Sequence, residues 1–148
     1  MPKIKQGSPV IPESHLDIMQ GFQATVSTLR HQDGLISTTP VSFDWDGEFV
    51  RFSTLKSRVK YQNLLVNPLI TMCIICPNDF TRYIEIRGVA EMSDDPDGQF
   101  NRALFQRLTG LDEFPYDAEN AQRVTVKIIP QQISTPLLYG GQLASAPK

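Results

Sequence analysis

Three basic residues, Lys56, Arg58 and Lys60, fall where a strand-like run, Glu48 to Thr54, gives way to a helix that opens at Ser57 and runs to about Val66. The start of a helix carries partial positive charge, so a cation there costs ~0.3–1 kcal/mol unless something anionic offsets it. Free backbone N–H groups together with Lys and Arg make a seat for a phosphate. The nearest acids along the chain are Glu48 and Asp79, and nothing between them neutralises the cluster. With a formal net charge of −2, the chain has no overall reason to be basic at this spot. From these residues alone two readings stay open, a phosphate seat and three solvated side chains. A Walker loop is excluded, because residues 48–66 hold no glycine.

The other residue types that carry chemistry read as structure. Cys73 and Cys76, the two cysteines, have CxxC spacing. Their flanks are those of a strand, in which residues three apart face opposite sides. No second Cys pair completes a zinc site, and no helix start follows to activate a thiol. His15 and His31 are remote from each other and from the cysteines, and both read as surface residues. Ser14 and His15 near Asp17 fit a short amphipathic helix better than a hydrolase triad, whose geometry local spacing does not encode. Glu85 and Arg87 share a strand face, where pairing with each other or with neighbours is expected.

The elements that must position the basic cluster follow from turn signals and periodicity. Residues 1–11 read as an irregular arm. A short helix follows, with Leu16, Met19 and Phe22 (or Ile18) as its buried stripe. Ala24 to Arg30 and Leu35 to Phe43 read as strands joined at Asp33-Gly34, and Asp46-Gly47 joins the second to Glu48–Thr54. Asn67-Pro68 stops the basic helix. Ile70 to Cys76 is a continuous apolar strand, and Arg82 to Met92 alternates, with Ile84, Ile86, Gly88, Ala90 and Met92 on one face. Asp94 to Asp97 reads as an acidic helix start, Phe100, Ala103, Leu104 and Leu108 as that helix's apolar face, and Gly110 as its end. A last strand spans Arg123 to Ile129, and residues 130–148 read as an irregular tail. Six mostly hairpin-linked strands with short helices between them predict a single-domain, mainly β (α+β) chain folded as a six-stranded antiparallel barrel.

Composition sets outer limits. At 148 residues one domain is expected, and 41% apolar content supports a packed core. No run approaches the ~18 apolar residues of a membrane span, and the N-terminal residues lack the apolar stretch of a signal peptide. A cytoplasmic protein without membrane or nucleic-acid partners is the expectation.

The order of motifs resembles the pyridoxamine 5′-phosphate oxidase-like split β-barrel flavoproteins, and is closest to the branch that uses the deazaflavin coenzyme F420. The residues that carry the resemblance are Ile11 to Leu16, Thr38 to Gly47, Val50 to Thr54, then Arg58, Lys60, Asn63 and Leu64, Asn67-Pro68, and Arg82 to Gly88. What the resemblance implies is a split-barrel homodimer with two sites between the subunits for coenzyme F420 or FMN. It implies that Thr39, Pro40 and Val41 run beside the ring system, that Ser53, Thr54, Ser57, Arg58 and Lys60 hold the phosphate, and that Tyr83 reaches the cofactor. One departure is Gln62, where the commoner family pattern has Arg. In such proteins the cofactor does the hydride chemistry, so no side-chain nucleophile or triad is expected and metal ligands are not part of the scheme. The implied function is an oxidoreductase acting on a small organic substrate. The alternative is a non-catalytic binder or carrier of a flavin or tetrapyrrole, since one fold hosts several tasks. Vitamin B6 oxidation itself is disfavoured by the chain's last residues, which hold no Arg or His to surround a pyridoxal ring.

Overall fold

The computed structural model describes residues 9–141. Residues 1–8 of the expected arm and 142–148 of the expected tail lie outside that range. A 3₁₀ helix, Glu13–Gln20, precedes β1 (Gln23–Leu29), β2 (Ile36–Trp45), β3 (Val50–Leu55), α1 (Val59–Val66), β4 (Leu69–Cys76), β5 (Asp79–Asp95), α2 (Gln99–Thr109) and β6 (Arg123–Ser134). A short turn of 3₁₀ helix, Leu138–Gly141, ends the described chain.

All strand pairs are antiparallel, and they close into a six-stranded barrel in the order β1-β2-β3-β6-β5-β4. The two Asp-Gly signals make the turns expected of them. Asp33 Oδ1 accepts from Leu35 N at 3.0 Å, and Gly34 takes φ 72°. Asp46 Oδ1 accepts from Glu48 N and Phe49 N at 2.9 and 2.7 Å, and Gly47 takes φ 97°. The Asp carboxylate substitutes for the missing ladder bonds, and Gly adopts the positive φ without steric cost.

Strand alternation divides the barrel into an inner and an outer face. Phe43, Phe52, Met72, Ile84, Val126 and Ile128 are fully enclosed and fill the interior. Each large apolar side chain buried in this way stabilises by ~1.5–3 kcal/mol. Cys76 lies inside with Ile70, Met72 and Ile74, and Cys73 faces outward, so the two thiols are on opposite sides of β4.

Several sequence expectations change. The last strand does not stop at Ile129, and residues 130–134 are not irregular tail. Instead β6 runs through Pro130 to Ser134, because β5 shifts register between Arg87 and Gly88 and places Gly88 opposite Pro130. A Cβ on Gly88 would stand 2.1 Å from the Ile129 carbonyl oxygen, so only glycine admits this close approach. Asp94 and Asp95 belong to β5 rather than to a helix start. From the strand end, Asp95 still caps α2, its carboxylate accepting from Phe100 N and Asn101 N at 3.3 Å each. The helix face turned inward carries Asn101 and Leu104, while Ala103 and Leu108 are exposed. In the first helix the buried residues are His15, Ile18 and Met19; Leu16 and Phe22 are exposed. His15 is therefore a core residue, not a surface one. Its Nδ1 lies 2.8 Å from Ser14 Oγ and its Nε2 is enclosed without a partner.

Candidate functional site

Two of the cavities on the outer wall of the barrel share Pro40–Ser42 of β2. The first, ≈ 380 Å³, is set between β2–β3 and α2. Val50, Phe52 and Thr54 point inward, so the intervening Ser53 faces out into it. From α2 and the loop after it, Asn101, Leu104, Phe105 and Phe114 supply the opposite wall. α2 is fastened by Arg107, which donates to the carbonyls of Phe43 (3.0 Å), Gln20 (3.1 Å) and Gly21 (2.8 Å). Edge-to-face contact between Phe105 and Phe114, with centroids 5.0 Å apart, stiffens the apolar side.

The cationic side is formed by Arg58, Lys60 and Arg123. α1 starts at Val59, two residues later than the sequence reading, with Arg58 as its N-cap and no side chain capping it. Among the described residues neither Arg58 nor Lys60 forms an ion pair. Burial, and then the neighbouring Arg58 charge, lower the Lys60 pKa from its usual value. The expectation that no acid neutralises the cluster fails for Lys56. Asp94, distant in sequence, pairs with it at 3.1 Å, and Lys56 lies outside this cavity. Gln62, the departure from the family pattern, bonds back to the Lys56 carbonyl at 3.2 Å.

The second cavity, ≈ 940 Å³, is a groove over β4–β1–β2 bounded by the first helix. Its lining is mostly apolar: Ile18, Phe22, Ala24, Val41, Ile75 and Phe80 all contribute. Phe80 and Ile75, both lining this groove, are 78% and 50% exposed. Cys73 opens into this groove, and burial, then the Glu85 charge, push its thiol pKa up, away from reactivity.

The predicted site residues thus fall into two groups. Pro40, Val41, Ser53, Thr54, Arg58 and Lys60 meet around the first cavity, Thr54 being buried beneath it. Ser57 lies in an adjoining cavity of ≈ 530 Å³ that Arg58 also touches. Thr39 and Tyr83 line none of these three cavities. Glu85 pairs with Arg87, as strand geometry suggested. Sequence reasoning missed Arg123, Asn101, Phe105 and Phe114, all contributed by segments far along the chain from the basic cluster. No local signal marked them; only the β3–β6 pairing, Ser53↔Thr125 and Leu55↔Arg123, brings Arg123 to the site. Neither histidine lines any of the three cavities, since His15 is enclosed and His31 Nδ1 donates to Asn63 Oδ1 at 2.9 Å. Among the described residues no cluster of three or more His, Cys, Asp or Glu could hold a metal, and no helix is long and apolar enough to cross a membrane.

Comparison with known proteins bears on these cavities. A family model described as pyridoxamine 5′-phosphate oxidase matches residues 12–135. No curated protein sequence matches. Among solved structures, one named F420 Reductase is 33% identical, with a TM-score of 0.76, over 84% of this chain and 98% of that one. The General Stress Protein 26 of Bacillus anthracis is 21% identical, with a TM-score of 0.61, over 82% of this chain and 89% of that one. A heme binding protein from Mycobacterium smegmatis is 17% identical, with a TM-score of 0.65, over 89% of this chain and 57% of that one. The last two likenesses concern the fold alone.

Proposed function

The chain belongs to the pyridoxamine 5′-phosphate oxidase family, and on that premise we propose that it is an oxidoreductase using coenzyme F420 or FMN to transfer a hydride to or from a small organic substrate. The observation that carries this reading is the meeting of two cations without an ion pair among the described residues, Arg58 and Lys60, in a cavity that shares Pro40–Ser42 with a large apolar groove. A phosphate and a flat ring joined by a short linker need those two environments side by side. Half-buried Lys60, its pKa lowered mainly by burial, gains from an anion what no carboxylate among the described residues supplies.

In this reading Arg58, Lys60 and Ser53 hold the phosphate, and Pro40 and Val41 lie along the ring. A bound flavin or deazaflavin supplies the hydride chemistry. The chain's own part is to bind, orient and exclude water. The exposed apolar edge at Ile75 and Phe80 is covered by a second subunit, making the protein a homodimer. Ile74, next to Ile75 on β4, is enclosed inside the barrel and takes no part in that surface.

Titration of the purified protein with FMN, coenzyme F420 and riboflavin, followed by absorbance and fluorescence, tests the proposal. One or both phosphorylated compounds should bind more tightly than riboflavin. Equal affinity for FMN and riboflavin, with no binding of coenzyme F420, would overturn the phosphate seat. Light scattering should give about twice the 16.6 kDa chain mass; a monomer at micromolar concentration would reject the shared interface.

A further inference from the structure

We propose that Arg123 is a third phosphate-holding cation of this site, aimed by Asp117 and selective for a phosphoryl group. This inference rests on the phosphate seat proposed above.

The geometry is that of a preset donor. Arg123 lies at the start of β6, and its side chain is only 13% exposed. One edge of its guanidinium is taken by Asp117, with Nε to Oδ2 and Nη2 to Oδ1 both at 2.7 Å. Its face lies against the Phe114 ring, 5.1 Å from the centroid. A bidentate carboxylate and an aromatic ring together fix the plane of the fork and leave little rotational freedom. The remaining nitrogen, Nη1, has a single long contact, 3.4 Å to Ser53 Oγ, on the wall of the cavity that holds Arg58 and Lys60. Arg51 is held alike, by Asp44 at 3.0 and 2.7 Å and by the Phe100 ring at 4.9 Å, but lies outside this cavity. What sets Arg123 apart is that its free nitrogen opens on the wall shared with Arg58 and Lys60.

Charge counting agrees. Arg58, Lys60 and Arg123 bring three positive charges to one cavity, and Asp117, which lines the adjoining cavity, sets one negative charge against Arg123. The Arg123 hydrogen bonds, with the Arg123 and Arg58 charges, hold the Asp117 pKa below its usual value, so it stays ionised at neutral pH. The surplus is two positive charges, the match for a phosphoryl group rather than a single carboxylate. The Ser53 hydroxyl adds a neutral donor on the same wall.

The test compares Arg123→Gln, Arg123→Lys and Arg58→Ala with the parent. Three readouts are taken: affinity for FMN and for coenzyme F420, affinity for riboflavin, and the rise in melting temperature caused by inorganic phosphate. Arg123→Gln should weaken binding of whichever phosphorylated cofactor the parent holds by about tenfold, leave riboflavin unchanged, and shrink the phosphate-induced rise. Arg123→Lys should recover part of the loss.

If Arg123→Gln weakens phosphorylated cofactor and riboflavin equally, or leaves the phosphate-induced rise intact, while Arg58→Ala abolishes the preference for phosphorylated ligand, the phosphate seat stands and the role of Arg123 fails. If neither variant changes that preference, both fail. Should Arg123→Gln not fold, Arg123→Lys decides, because it keeps the charge but loses the fork that Asp117 aims. It should hold the phosphorylated cofactor more weakly than the parent with riboflavin unchanged, and parental affinity for the phosphorylated cofactor would overturn the proposal.

Discussion

Two sets of basic side chains on this small barrel are treated in opposite ways. At the first helix and the adjoining corner, Arg82 donates to Asp17 at 3.0 and 2.8 Å and to the Ser14 carbonyl at 2.8 Å, while Arg107 is satisfied by three backbone carbonyls. In the cavity between β2–β3 and α2, Arg58 and Lys60 have no ion-pair partner among the described residues, and Lys60 is held there against the cost of burial. Arg82 and Arg107, partnered and outside the cavity, tie loops to the wall and belong to the stability of the fold. Unpartnered cations store an interaction that a ligand completes. The difference gives each set its own signature, with binding changed in one and folding in the other.

The largest expected effect is therefore on binding. Arg58→Ala and Lys60→Ala should each weaken the phosphorylated cofactor by about ten- to a hundredfold, the loss of a charge-assisted hydrogen bond worth ~1.5–3 kcal/mol. Riboflavin affinity and urea midpoints should stay near the parent's. A drop in stability comparable to the drop in affinity would erase the contrast between the two sets.

Arg107→Ala should show the reverse. It leaves three carbonyls without their donor and loosens α2 from the barrel, costing about 1–2 kcal/mol in chemical denaturation. Riboflavin and phosphorylated cofactor should weaken together, by less than about threefold. A selective loss of phosphorylated ligand would place Arg107 in the binding set instead.

The sequence made the fold readable because its signals were local. Two Asp-Gly turns, the alternation of β5 and the unbroken apolar run of β4 each declare themselves within ten or so residues. The extension of β6 through Pro130 was hidden, since a proline normally argues against a central strand. It is accommodated by Gly88 and a register shift on the neighbouring strand, a property of the pair that neither strand displays alone. His15 was misread because the stripe read from Leu16, Met19 and Phe22 is out of phase with the face turned inward, His15, Ile18 and Met19, and a polar histidine does not announce its burial. The site divides along the same line. Arg58 and Lys60 stood out by their place at a helix start. The pairing of Lys56 with Asp94, and the arrival of Arg123 with Asp117 and Phe114, are products of tertiary closure with no local trace.

Acid sharpens the comparison for the partnered set. Asp17 has its pKa lowered, first by the hydrogen bonds from Arg82, and Asp117 likewise by Arg123. A carboxylate whose folded pKa lies below its unfolded value adds stability that is present above about pH 4 and is lost as pH falls through the folded value. Asp17 is largely solvated, so its share is small, below about 1 kcal/mol. Urea midpoints measured between pH 5 and pH 2.5 should fall more steeply for the parent than for Asp17→Asn. Parallel curves would mean that the Arg82 clasp contributes nothing beyond packing.

The smallest effect tests the unpartnered set without any ligand. Lys60 is a cation whose folded pKa lies below its unfolded value, because burial and Arg58 both disfavour the charge. Between the two values the unfolded chain binds more protons, so stability rises with pH across that window. Below the folded value the full cost of the buried charge is present. Lys60→Met keeps the length and helix propensity of the side chain and removes the charge. At pH 7 it should leave the unliganded protein as stable as the parent or more so, by about 0.5 kcal/mol, because a half-buried site is screened by solvent. The gap should close as pH rises through the ordinary lysine range and the parent sheds the proton. Adding inorganic phosphate at pH 7 should reverse the order, since only the parent has the ammonium to answer it. Lower stability of Lys60→Met without ligand, at every pH, would show that the fold already satisfies Lys60, and would move it from the binding set to the struts.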